Sequence, residues 1–89
     1  MSLNILLTPT AFDEYLLWQQ EDKKTLKRIN RLLLEMRRTP FTGTGKPEAL
    51  VGDLSGWWSR RIDAANRIVY RVDRGTLVIA QLHGHYNDK

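Results

Sequence analysis

The hydrophobic period changes once along this chain of 89 residues. After the short apolar run Leu3–Leu7, apolar positions recur at helical spacing from Phe12 to Met36, and after Gly56 they fall at every second position. A chain ordered in this way, two helices and then a run of strands, points to an α+β architecture in which two N-terminal helices pack on one face of a mainly antiparallel sheet. The length suits one domain, residues 1–89, with a modest core. The chain contains no cysteine, which excludes disulfides, thiolate chemistry and cysteine-ligated zinc. No apolar run approaches the ~18 residues that span a bilayer, and Met1–Ile5 lacks the basic start of a signal peptide. A cytoplasmic protein without a membrane partner is therefore expected.

Leu3–Leu7 is an apolar run that fits a buried strand, since Pro9 cannot continue it. Thr8 then serves as an N-cap with Pro9 in the first helical position. The helix that follows carries Phe12, Tyr15, Leu16 and Trp18 at helical spacing and ends in Gln19-Gln20-Glu21. Asp22 caps a second helix, Lys23–Met36, with Leu26, Ile29, Leu33 and Met36 on one face. Its basic side, Lys23, Lys24, Lys27, Arg28 and Arg31, faces water or a phosphate backbone. Thr39-Pro40 stops it. Phe41–Pro47 reads as an irregular loop that delivers Glu48, and Lys46-Pro47 is not the Lys-Ser/Thr ending of a Walker loop. Strands are expected over residues 57–62, Arg67–Asp73 and Thr76–Tyr86, with Arg74-Gly75 as the last turn. The element order is β-α-α-β-β-β.

Fourteen Lys and Arg against ten acids give a formal charge of +4, which favours an anionic partner without identifying one. Alternation is more specific. It places Trp58, Arg60 and Ile62 on one side of their strand and Trp57, Ser59 and Arg61 on the other. In the next strand Ile68, Tyr70 and Val72 turn towards the helices, with Arg67, Val69 and Arg71 on the opposite face. Leu82 and Ala80 alternate with Gln81, His83 and His85, so histidine and arginine converge on the open face. Metal-free RNA cleavage needs a base for the ribose 2′-hydroxyl, cationic donors for the phosphorane and an acid for the departing 5′-oxygen. Glu48, the arginines and His85 match those roles. Each also has a plainer reading: Glu48 as a solvated turn carboxylate, the arginines as surface charges, Trp57 as an interface anchor or a stacking surface, Tyr86 as an edge cap or a base-stacking ring. His83-Gly84-His85 offers two metal ligands, but spacing supplies no third.

The segment Arg37-Arg38-Thr39-Pro40-Phe41, then Gly45-Lys46-Pro47-Glu48, Leu54-Ser55-Gly56-Trp57-Trp58-Ser59-Arg60-Arg61-Ile62, Arg67-Ile68-Val69-Tyr70 and the late His85-Tyr86 closely resembles the Txe/YoeB family of toxins. The resemblance implies a RelE-like fold and a bacterial toxin that cleaves mRNA in the ribosomal A site. It assigns Glu48 as general base, His85 as general acid and Arg67 as the transition-state cation. Arg61, Arg60, Lys46 and Tyr86 become RNA contacts, and no metal or organic cofactor is implied. Expected partners are the 70S ribosome with its mRNA and a YefM-like antitoxin of the Phd/YefM group, with operator DNA bound only through the antitoxin complex and a homodimer possible. The chain departs from the pattern in the Asn87-Asp88-Lys89 extension, in Val51 for a common lysine, in Asn66 for a frequent histidine and in Phe12 for a frequent tryptophan. Neither Asn66 nor Phe12 is expected to touch the acid, base or arginines. The competing readings are a ParE-type toxin that binds DNA gyrase and needs no acid-base set, and a noncatalytic nucleic-acid-binding module.

Overall fold

Leading out of strand β1 (Asn4–Leu7), Thr8 accepts a hydrogen bond from the Ala11 N–H at 3.2 Å and starts helix α1 (Pro9–Glu21) with proline in the first turn. Asp22 both ends α1 and begins α2 (Lys23–Met36), its carboxylate accepting from the backbone N–H and the hydroxyl of Thr25 at 3.0 and 2.8 Å. Those two donors hold the Asp22 carboxyl below the usual carboxylate range. Both caps and the bounds of α2 agree with the sequence expectation. The computed structural model describes residues 2–85, and the expected role of Tyr86 lies outside the described residues.

After α2 come β2 (Glu48–Ala49), a 3-10 turn (Gly52–Leu54), β3 (Trp58–Arg61), β4 (Arg67–Asp73) and β5 (Thr76–Gln81). The sheet order is β1-β5-β4-β3-β2. Three of its four pairings are antiparallel, and β1 runs parallel to β5 with Asn4 opposite Thr76. Two helices on a mainly antiparallel sheet is the architecture expected. The two-residue β2, which pairs Glu48 with Ser59, is an addition: the sequence put Glu48 in a loop. At the β4–β5 turn Arg74 and Gly75 both have positive φ, 49° and 77°, the combination a two-residue type I′ hairpin needs.

The core forms where Ala11, Ile29, Leu32, Leu33 and Met36 of the helices meet Ile62, Ile68, Tyr70, Leu77, Ile79 and Leu82 of the sheet side. Two expectations change here. In α1 the inward lane is Ala11, Tyr15 and Trp18, spaced i, i+4, i+7, while Phe12 and Leu16 are exposed. The small Ala11 is the fully buried residue of this helix, so the contact face is turned one position from the bulkier Phe12. The last strand, expected to reach Tyr86, ends at Gln81. Val69 pairs with Gln81 but Tyr70 with Ile79, so Ala80 is the extra residue of a bulge and the inward positions shift from Leu77 and Ile79 to Leu82. Gly84, at φ 77°, then turns the chain out of the strand path. Among the described residues no helix is long and apolar enough to cross a membrane.

Candidate active site

Arg61 of β3 stands directly opposite Arg67 of β4. Like charges in facing positions destabilise a sheet, so the pair is a local cost that an anionic ligand would relieve. Around it lies an open pocket of about 530 Å³ lined by Lys46, Pro47, Glu48, Ser59, Arg61, Arg67 and His85. Five of the seven expected site residues thus line one cavity, brought there by the loop before β2, by the strands β2, β3 and β4 and by the segment after β5. Ser59 was not singled out from the sequence, although alternation placed it on the Arg61 side; its register opposite Glu48 sets it at the pocket floor.

The loop reaches this position through Gly45. Its carbonyl accepts from the Arg61 N–H at 2.7 Å, and a Cβ at Gly45 would lie 2.9 Å from the Arg61 carbonyl oxygen, so only glycine lets the loop lie against β3. Lys46 follows at φ 52°, an uncommon backbone for a lysine, and Pro47 leads into Glu48. On the other wall, one terminal nitrogen of the Arg67 guanidinium, Nη1, donates to the carbonyls of Asp63, Ala64 and Asn66 at 2.7, 3.3 and 3.2 Å. The connection between β3 and β4 therefore fixes the orientation of Arg67 beside the pocket. His83 and His85 part company. The His83 ring sits 5.3 Å from the Trp18 ring of α1, whereas His85 lines the pocket, because Gly84 between them takes φ 77° and breaks the alternation that would have put both on one face. Among the described residues no group of three His, Asp or Glu side chains is placed to hold a metal.

Arg60 corrects the sequence reading. Expected as an RNA contact, it is fully buried and faces the helices. Its Nη1 donates to Glu35 Oε2 at 2.8 Å and to the Thr44 carbonyl at 3.0 Å, its Nη2 to the carbonyls of Thr39 and Thr42 at 2.6 Å each, and its Nε to the Tyr70 hydroxyl at 3.4 Å. Five donors meet five acceptors, so none remains for a nucleic acid. Burial pushes the Tyr70 hydroxyl above its ordinary value, and it stays protonated to donate to the Pro40 carbonyl at 2.6 Å. The guanidinium thus gathers the loop between α2 and β2 against the core and indirectly carries Lys46 and Glu48.

Glu35 closes this network. The Thr44 N–H at 2.7 Å and then the Arg60 guanidinium hold its carboxyl below the usual glutamate range. A carboxylate whose folded value lies below its unfolded one adds stability that is complete above the unfolded value, about 4.3, and is lost as the pH falls through the folded value. Urea midpoints should accordingly drop below about pH 4.3, and Glu35→Gln, less stable at neutral pH, should show a flatter decline. A variant with the same acid limb as the parent would mean that other carboxylates govern it.

A family described as the YoeB-like toxin of bacterial type II toxin-antitoxin systems matches residues 7–86 of the chain. Toxin YoeB of Streptomyces coelicolor is 49% identical over 84 residues, which cover 94% of this chain and all (100%) of that protein. A YoeB/ParE toxin from Agrobacterium tumefaciens has a solved structure that matches with a TM-score of 0.90 at 42% identity, covering 94% of this chain and 100% of that one. YoeB from Staphylococcus aureus, solved as a dimer, matches with a TM-score of 0.87 at 45% identity, over 97% of this chain and 100% of that one. A YoeB–YefM complex from S. aureus also matches, with a TM-score of 0.86 at 44% identity over 97% of this chain and 100% of that one.

Proposed function

The chain belongs to the YoeB-like toxins of bacterial type II toxin-antitoxin systems, and we propose that it is an endoribonuclease that cleaves mRNA in the ribosomal A site without a metal ion. The observation that carries this reading is the convergence of Glu48, Arg61, Arg67, His85 and Lys46 on one pocket. Glu48 takes the proton of a ribose 2′-hydroxyl, whose oxygen attacks the adjacent phosphorus. Arg67 and Arg61 stabilise the charge that accumulates on the pentacoordinate phosphorane. His85, as imidazolium, donates its proton to the departing 5′-oxygen. Lys46 and Tyr86 hold the flanking RNA. The chemistry leaves a 2′,3′-cyclic phosphate on one product and a 5′-hydroxyl on the other.

A shallow pocket does little to fix a flexible single strand, and an A-site codon is already held in one conformation, so the ribosome supplies the orientation that this small protein lacks. Ribosomes place the activity in the cytoplasm. The exposed basic side of α2 suits ribosomal RNA, with an affinity that falls as salt rises. By analogy with the S. aureus YoeB structures, the antitoxin is a YefM-like protein and the free toxin forms a homodimer; the family resemblance adds that operator DNA is reached only through the toxin-antitoxin complex. A ParE-like action on gyrase would leave the acid-base pair in this pocket without a task.

Primer extension on mRNA in a purified translation system tests the reading. Cuts are expected within the A-site codon when toxin and ribosomes are both present, with cyclic or 3′-phosphate ends, and chelation should not slow the chemical step beyond its effect on ribosomes. Products ending only in 3′-hydroxyls would contradict 2′-hydroxyl attack.

A further inference from the structure

We infer that Asn66 is a positioning residue for His85, acting through the peptide of Gly84 that immediately precedes it. The inference rests on the RNA-cleavage reading of the pocket and concerns a side chain that lies outside it. Asn66 Oδ1 accepts from the Gly84 N–H at 2.8 Å, and the Gly84 carbonyl accepts from the Arg67 N–H at 2.9 Å. Both polar groups of Gly84 are therefore gripped by two consecutive residues, the last of the β3–β4 connection and the first of β4. The grip is local to the point where β5 has ended and Gly84 takes φ 77°, so no strand pairing fixes the chain there.

The Asn66 amide has its orientation imposed from behind. Its Nδ2 donates to Asp63 Oδ1 and Oδ2 at 3.0 and 3.2 Å, and Asp63 Oδ1 also accepts from the backbone N–H groups of Ala65 and Asn66 at 2.9 and 2.8 Å. With the NH2 turned to a carboxylate, the carbonyl oxygen must point the other way, towards the Gly84 N–H; the opposite amide orientation would set oxygen against oxygen on one side and donor against donor on the other. A side chain at this position needs one donor and one acceptor at opposite ends of a short planar group. The same short turn holds the Arg67 guanidinium through the carbonyls of Asp63, Ala64 and Asn66. The phosphate-binding cation and the acid are thus referenced to one rigid piece of backbone. Asn66, which sequence reasoning set aside as remote from the chemistry, couples them.

Asn66→Ala removes the Gly84 contact but keeps the backbone bonds of the turn, in which the Asn66 carbonyl accepts from the Ile62 N–H at 2.9 Å. The expected result is a cleavage rate at saturating toxin lowered about ten- to a hundredfold, the scale of an ångström-level misplacement. The toxin concentration at half-saturation should be unchanged, and the Gly84 amide should exchange faster with solvent by NMR. Asn66→Asp should fail in the same way, since it sets a carboxylate against Asp63. The double variant Asp63→Asn, Asn66→Asp exchanges the partners, restores the donor to acceptor pattern and should recover both the rate and the Gly84 protection. Equal rates for the parent and Asn66→Ala, or a double variant no better than Asn66→Asp, would overturn the inference while leaving the nuclease reading intact. A parent protein that cuts no ribosome-bound mRNA would overturn both.

Discussion

Arg60→Met is expected to lower the unfolding free energy by a few kcal/mol, short of the roughly 3–5 kcal/mol for breaking a fully buried ion pair, because Arg60 is fully buried while Glu35 keeps 32% of its side chain exposed. A domain of this size holds on the order of 5–15 kcal/mol in total, so the variant should sit near the edge of folding at 37 °C. The physical cause is the loss of five donors at once. Glu35, the Tyr70 hydroxyl and the carbonyls of Thr39, Thr42 and Thr44 all lose their common partner, and buried acceptors left without one each cost about 1–3 kcal/mol. Water reaching the exposed threonine backbone offsets part of this. Arg60→Lys should rescue little, because an ammonium has three donors on a single nitrogen and cannot span the fork. Urea unfolding with an unchanged slope and a lowered midpoint is the measurement. A variant of parental stability that has lost only RNA affinity would return Arg60 to the surface role that the sequence suggested.

Arg67→Ala is expected to slow cleavage of ribosome-bound mRNA by at least about a hundredfold, the usual cost of one preorganised donor at a developing negative charge. His85→Ala should lose a comparable factor, within the roughly 10²–10⁴ range of general acid-base catalysis. Both side chains are only partly buried and lie at the pocket rather than in the core, so circular dichroism and antitoxin binding should stay close to those of the parent. The two variants separate two readings of the pocket. If it only binds RNA, losing Arg67 weakens binding and losing His85 does little; if it cleaves, both lower the rate at saturation. Full activity in either variant would remove that residue from the mechanism. Arg67→Lys is informative as well: it keeps a charge but cannot reproduce the contacts of Nη1 to three carbonyls while presenting the rest of a planar fork to phosphate.

Much of the site was legible because alternation is a strict rule within a strand. Ser59 and Arg61 fall on the pocket side of β3 and Arg60 and Ile62 on the core side, as period two requires. The same rule already held the correction to Arg60, since a residue between Trp58 and Ile62 on the inward side is not free to meet a ligand. What hid this was the partner: Glu35 lies on another element, 25 positions away, and the three threonine carbonyls belong to a loop with no regular pattern. The rule failed where the strand itself failed. A bulge at Ala80 shifted the inward register, a left-handed Gly84 separated His83 from His85, and neither is encoded by hydrophobic period.

The chain by itself determined several elements and the candidate residue types: Thr8 and Asp22 as caps, the bounds of α2 and β4, the two-residue turn at Arg74-Gly75 and the carboxylate, histidine and cations of the pocket. These follow from interactions within a few residues, where side-chain spacing and backbone preference suffice. Only the tertiary structure decided which helix face meets the sheet, which acceptors receive the buried Arg60 guanidinium, and how Asn66 reaches Gly84 across 18 positions. Each of those outcomes depends on a partner distant in sequence, and no local periodicity specifies which donor a far-off carbonyl or carboxylate will receive.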